Sequence, residues 1–355
     1  MSARAGLRNT GLPRATPSRS HGSHSYPSSC EMPLCTSTCR PGHLRPHRNR
    51  RHGVPAHAVA VRPVSQSQLP EVVPAMTRTP ASPSEPRPPN EPGNASPGPA
   101  AIAGHSTLEC FLAFVLLFGV ATIVRWVVGP SPISDAVTQI HLQLLIIGGA
   151  VGLLLAALIL SWPGRISGGH INPAISLAMW RFGVFPGVSV VPYIAAQLIG
   201  SVLGVLAARA VWGSTVSRLP VVDAALQPGP GWTAGALFAV EAAGMGVIVY
   251  LVGYFLQTPR LAPKVPWLVG FLIGAAIALL GTTTGGSVNP ARQFGPAVVS
   301  GALDFLWVYL LAPMVGAALA AAVLDRVHTR RTVLTHRLCG TQADGAPLPR
   351  GQHDV

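Results

Sequence analysis

The sequence is short of charge. Asp, Glu, Lys and Arg make up only 10% of its 355 residues, where soluble domains carry about a quarter, so an ordinary water-soluble globule is excluded. Acidic side chains are scarcest, 12 against 25 basic ones, for a formal net charge of +13. Lysine occurs once, at Lys264, so the basic excess is arginine. That bias fits GC-rich coding better than a basic surface selected for nucleic acid, which is not an expected partner. Five cysteines give no disulfide framework: Cys110 and Cys339 are far apart, and Cys30, Cys35 and Cys39 with His43 follow no standard zinc spacing. Neither a Gly-x-Ser-x-Gly nor a His-Glu-x-x-His arrangement occurs, so no enzyme chemistry, metal or cofactor is expected.

What is present divides at about residue 105. Residues 1–105 are rich in Pro, Arg and Ser, and their apolar fragments, such as Ala58–Val61, show no helical or strand period. Such a segment buries too little apolar surface to offset the ordering of its backbone and reads as a disordered tail. It has no apolar run of secretory-signal length. The acid-free first thirty residues resemble an organellar transit peptide, against the plainer reading of a non-functional extension, and Met76 offers an alternative start.

Beyond residue 105, stretches free of Asp, Glu, Lys and Arg run over 110–124, 141–161, 190–208, 242–259, 265–291 and 305–324. About 20 helical residues cross the ~30 Å hydrocarbon core, so the sequence predicts an all-α membrane protein with six transmembrane helices. Its channel domain spans 106–327, in halves 106–212 and 232–327, and a C-terminal tail follows over 328–355. An even number of spans puts both ends on one face, and 21 of the 25 basic residues fall on that face. By the positive-inside rule both termini are cytoplasmic, with the plasma membrane as the expected location. Gly200-x-x-x-Gly204 and Gly270-x-x-x-Gly274 are candidate sites of close helix approach.

One internal repeat stands out: Ser167-Gly168-Gly169-His170-Ile171-Asn172-Pro173-Ala174 and Thr284-Gly285-Gly286-Ser287-Val288-Asn289-Pro290-Ala291-Arg292. Three spans separate the copies, so they enter from opposite faces as an inverted repeat. Asn is a favoured N-cap and Pro suits the first helical position. Each copy therefore starts a helix, and the apolar stretch that follows is too short to cross. Irregular backbone at membrane depth is tolerated only where it lines a cavity or is buried in protein, so Gly168, Gly169 and His170 and, in the second copy, Gly285 and Ser287 are candidate pore-lining backbone. Two half-helices meeting at the midplane would present two partly positive N-termini, unfavourable to cations and hydronium, and two amides that donate to a neutral solute. Arg292 adds a fixed cation. A secondary transporter would need a coupling-ion site, and no acid lies beside the asparagines.

The paired Asn-Pro-Ala motifs, the second followed by Arg, on six spans in two inverted halves resemble the major intrinsic proteins, the aquaporins and glycerol-type channels. The resemblance covers about residues 106–327 and implies a homotetramer with one pore per chain in a lipid bilayer. It implies buried glutamates at Glu109 and Glu241 that accept hydrogen bonds from the re-entrant backbone, ahead of a proton relay, although the Gly-Thr that often follows the first of these is missing. It implies a constriction at Ile277, Gly286 and Arg292, with a fourth member in span two at Val151 or, as fallback, Gly152. No aromatic residue or span-five histidine stands among them, and Gln293 matches neither the Ser of water-type nor the Asp of glycerol-type members. Tyr309-Leu310 is similar to the glycerol- and metalloid-permeable branches. The expected function is passive passage of water and small uncharged solutes such as polyols, urea or metalloid acids, with a strictly water-selective pore as the alternative. His170 is open to two readings, a tie that holds its loop or a pH gate.

Overall fold

The structure is a computed structural model and describes residues 97–329 and 331–348. Eight principal helices make up the bundle: α1 (Pro99–Val127), α2 (Ile140–Leu160), α3 (Pro173–Arg181), α4 (Gly187–Trp212), α5 (Ala234–Leu256), α6 (Val265–Leu280), α7 (Pro290–Ser300) and α8 (Leu306–Val327). Six of them are long and apolar enough to cross a membrane, α6 being extended to Ala262 by a 3-10 turn. The other two, α3 and α7, have 9 and 11 residues. At 1.5 Å per residue they reach about half-way through the hydrocarbon. The expected six spans with two half-helices are the observed architecture.

Two boundaries differ from expectation. Helix α1 begins at Pro99, inside the segment read as tail, because Pro99 takes the first-turn position and the run to Gly104 is rich in alanine, the best helix former. The candidate zinc ligands Cys30, Cys35, Cys39 and His43, together with Met76, lie outside the described residues. At the other end, part of the 328–355 tail folds back onto the bundle: Val333, Leu338, Cys339 and Leu348 are buried, and the Leu334 N–H donates to the Leu256 carbonyl at 3.2 Å.

Membrane helices gain nothing from hiding oil from oil, so they associate through close packing at small residues. Helix α2 runs antiparallel to α6 with backbone nearly touching backbone. A methyl added at Gly148 would strike the Gly274 carbonyl, and one added at Gly152 would strike that of Gly270. Gly200 and Gly204 of α4 lie in the same way against the Cys110 and Phe114 carbonyls of α1. Each half-helix then docks on the last span of the opposite half, α3 on α8 and α7 on α4, which interlocks the two halves.

Replacing Gly274 by Leu should destabilise the protein by about 1–3 kcal/mol or prevent its accumulation, whereas Gly149→Ala, whose new methyl meets nothing within 4 Å, should be neutral. Thermal unfolding of the two purified variants in detergent checks the contrast.

Candidate functional site

The two half-helices start end to end. Asn172 Oδ1 accepts the Ala174 N–H at 2.9 Å, and Asn289 Oδ1 accepts the Ala291 and Arg292 N–H groups at 2.9 and 3.3 Å. Each asparagine is thus the N-cap of its own helix, with Pro173 and Pro290 in the first turn. The amide nitrogens reach across. Asn172 Nδ2 donates to the Val288 carbonyl at 3.0 Å, and Asn289 Nδ2 donates to the Ile171 carbonyl at 3.1 Å. One donor of each amide is therefore spent on tying the two motifs together; Asn172 Nδ2 also makes a long contact with the Met245 sulfur at 3.9 Å, and both asparagines line the cavity.

The cross-tie requires unusual backbone. Ile171 and Val288 have φ of 51° and 40°, a left-handed conformation that costs a β-branched residue about 1–3 kcal/mol. Two carboxylates hold it. Glu109, 0% exposed, accepts Ser167 Oγ–H and the His170 N–H on Oε1 at 2.7 and 3.0 Å, and the Ile171 N–H and Gln197 Nε2 on Oε2 at 2.7 and 2.8 Å. Glu241, also 0% exposed, accepts the Ser287 and Val288 N–H groups at 3.1 and 2.7 Å. Tyr193 and Tyr309 complete the pattern by donating to the Ser167 and Thr284 carbonyls at 2.7 and 2.6 Å. Sequence reading missed Tyr193, Gln197 and Ser201. Their four-residue spacing puts them on one face of the apolar α4, a signal that was available.

A cavity of about 210 Å³ runs past the asparagines, and Ile277, Gly286, Arg292, Val151, Gly285, Ser287 and His170 are among its lining residues. Apart from the His170 imidazole, its lining among the described residues contains no aromatic side chain. Arg292 Nη1 donates to the Ala224 carbonyl at 2.7 Å. Gly286, at φ 62°, lies so close to the Ala276 carbonyl that no Cβ fits.

Two expectations need correction. Gly152 faces α6 and does not line the cavity. Val151 lines the cavity, as do Leu144 and Ile147 of the same helix. With Gly148 on Gly274 and Gly152 on Gly270, the Val151 Cα lies about 9 Å inward of that of Ile277, but side chains lean toward their own helix N-termini, outward on α2 and inward on α6, so the two lean toward each other. Ser161 ends α2 and caps a separate helical turn, Trp162–Ser167, which lengthens the connection. Gly168 and Gly169 are also off the cavity wall. The Gly168 carbonyl accepts the Leu338 N–H at 2.9 Å, and Gly169 packs on Ile159 and Gly164.

His170 has both ring nitrogens engaged, Nδ1 with Ser176 Oγ at 3.0 Å and Nε2 with the His336 carbonyl at 3.1 Å. A carbonyl only accepts, so Nε2 carries the proton and Nδ1 accepts from Ser176. The ring is a tie in this conformation. His336 lies outside the spanning segments. Burial, reinforced by His170 and Arg337, holds its imidazole well below the ordinary histidine value, so it is neutral at neutral pH.

Six spans in two inverted halves, with capped half-helices abutting inside a cavity, define a membrane channel. Residues 104–324 match the family model described as Major intrinsic protein, and the chain belongs to that family. It is 40% identical over 181 residues to "Probable aquaporin AqpM" of Archaeoglobus fulgidus, covering 49% of this chain and 73% of that one. To "Probable aquaporin NIP7-1" of Arabidopsis thaliana it is 30% identical over 240 residues, 66% of this chain and 76% of that one. In fold it is similar to the aquaglyceroporin from Plasmodium falciparum, with a TM-score of 0.54 at 22% identity over 64% of this chain and 96% of the other.

Glu241→Ala should leave the Ser287 and Val288 N–H groups buried without acceptors, at about 1–3 kcal/mol each. A large fall in thermal stability together with loss of solute flux is expected. Glu241→Gln, which keeps the shape and one acceptor oxygen, should fall between wild type and Ala in the same melting assay.

Proposed function

We propose that the chain is a passive pore for water and small uncharged solutes of the polyol class. Asn172 and Asn289 are its midplane donors, and Arg292, Ile277 and Gly286, with Val151 of α2, form its constriction. The observation that carries the solute class is the cavity lining, whose apolar side chains are aliphatic and which, apart from the His170 imidazole, has no aromatic ring among the described residues. A neutral solute with an alkyl edge and hydroxyls can lay carbon on Leu144, Ile147 and Ile277 while its oxygens accept from the guanidinium. His170, Gly285 and Ser287 contribute path backbone.

Cations and hydronium meet two barriers, the guanidinium and the paired helix N-termini at about +0.5 each. Family membership favours a homotetramer with one pore per chain. The arginine bias favours cytoplasmic termini at the plasma membrane.

Stopped-flow measurements on proteoliposomes with water, glycerol, urea and boric acid test the reading. Glycerol should enter alongside water, and a pore that admits water while excluding glycerol would overturn the polyol assignment. Ile277→His should cut glycerol flux by about tenfold or more while sparing water, on the order of 1.4 kcal/mol of added barrier.

A further inference from the structure

We propose that the half-buried ion pair Arg209–Asp223 positions Arg292, and so sets the solute selectivity of the outer constriction. The proposal rests on the pore reading above and adds residues remote from the motifs. Asp223 is fully buried and is gripped by Arg209 through both oxygens, Nε to Oδ1 at 2.8 Å and Nη2 to Oδ2 at 2.6 Å. Such fork-to-fork geometry fixes orientation as well as distance.

The ion pair holds an improbable turn. Val222, Asp223 and Ala224 are consecutive residues at φ 44°, 56° and 61°, a region that side chains bearing Cβ avoid. The turn presents the Ala224 carbonyl to Arg292 Nη1 at 2.7 Å. Two residues on, Gln293 clamps Leu226 from α7: the Leu226 N–H donates to Oε1, and Nε2 donates to the Leu226 carbonyl, both at 3.0 Å. Segment 222–226 is thus fastened to α4 by charge and to α7 by an amide, with the acceptor for Arg292 between the two fastenings. Ala224 and Leu226 also line the cavity mouth. Gln293, which fitted no branch of the family, acquires a role as the second fastening. Released from Ala224, the guanidinium would swing into the mouth and trade its fixed backbone acceptor for solute or water.

Asp223→Ala, Arg209→Gln and their double variant should each change the ratio of glycerol to water permeability by about threefold or more, the double variant no further than the singles because the pair acts as a unit. Gln293→Ala should shift the ratio in the same direction. An unchanged ratio, or glycerol and water falling in proportion, would overturn the positioning role, since a merely structural loss lowers both fluxes alike. A wild-type pore that conducts water alone would refute the polyol reading instead, and the proposal is then decided by proton leak relative to water flux in the same variants.

Independent observations at the opposite end carry a second inference. We infer that residues 331–348 form a releasable cap over the pore mouth on the face that bears the chain's ends. The Leu338 N–H occupies the Gly168 carbonyl at 2.9 Å, and the His336 carbonyl holds His170 Nε2 at 3.1 Å. Of these two contacts, His170 lines the inner end of the cavity and is 2% exposed. On its other side the segment is joined to the end of α5, Leu334 to the Leu256 carbonyl and Gln257 Nε2 to the Arg331 carbonyl at 3.3 Å. Gly340 sits on the Ala262 carbonyl where no Cβ fits. A few backbone hydrogen bonds and four buried apolar side chains, on a segment outside the spans, make an attachment that opens without disturbing the bundle.

In the full chain, Gly340→Val and Leu338→Asp should expose Arg337 to trypsin and raise water permeability per channel by about threefold or more, as the open population grows. A freed segment with unchanged permeability, or a segment that neither substitution frees, would overturn the cap. Absence of any flux in wild type and variants alike would instead count against the pore reading.

Discussion

A backbone N–H that leaves a helix inside a membrane finds no water, and this fold depends on how that demand is met. Glu109 and Glu241 meet it. Between them the two carboxylates accept four backbone N–H groups from the loops that precede α3 and α7. A charged acceptor makes a stronger bond than a neutral one, and the alternative, buried donors in hydrocarbon, costs several kcal/mol per group. Without these side chains the loops could not stay irregular, and without irregular loops no half-helix could begin at the midplane.

Everything nearer the path follows from that support. Held at positive φ, Ile171 and Val288 turn their carbonyls toward the opposite motif, where Asn289 and Asn172 donate to them. Each asparagine oxygen is committed to capping its own helix. The asparagines are thus structural and path-facing at once: capping orients the amide, and the cross-tie fixes the distance between the motifs on the wall of the cavity that both asparagines line. Strain at Ile171 and Val288 sits beside the proposed path because a β-branched residue in that conformation must be over-determined by its surroundings.

Much of this was legible in the sequence because it is local. Asn-Pro at a helix start and apolar runs of spanning length are short-range signals, and they placed α3, α7 and the six spans correctly. Glu109 and Glu241 came from the family resemblance, which places an acid near the start of the first and fourth spans. Heights along helices were less legible. Counting from Asn172 to span two depends on the length of the connection, and the Ser161-capped turn at Trp162–Ser167 is what left Val151 and Gly152 as alternatives until packing placed Gly152 against α6. The fold-back of 331–348 was hidden for another reason. Its contacts, Leu338 with Gly168 and His336 with His170, join residues more than 160 apart in the chain, and nothing in the pattern of a short polar tail announces them.

The two motifs differ most instructively three residues past each asparagine, where the second has Arg292 and the first has Ile175. Both side chains line the cavity. On the pore reading, the pseudo-symmetric scaffold therefore carries its fixed cation at one end only. That placement bears on anions, which the guanidinium and the helix N-termini would otherwise welcome. An anion drawn to Arg292 would next face Ile175, Leu155 and Ile159, an aliphatic stretch whose side chains supply no donors to replace its hydration shell, and an unpaired ion in such surroundings is heavily penalised. On that reading cations would be stopped by charge and anions by dehydration. A neutral hydroxylated solute would lose fewer partners on that stretch and regain them at the asparagines. A second arginine at position 175 would remove the dehydration barrier, so on the proposed function the broken symmetry, as much as the symmetry, would make the path selective for uncharged molecules.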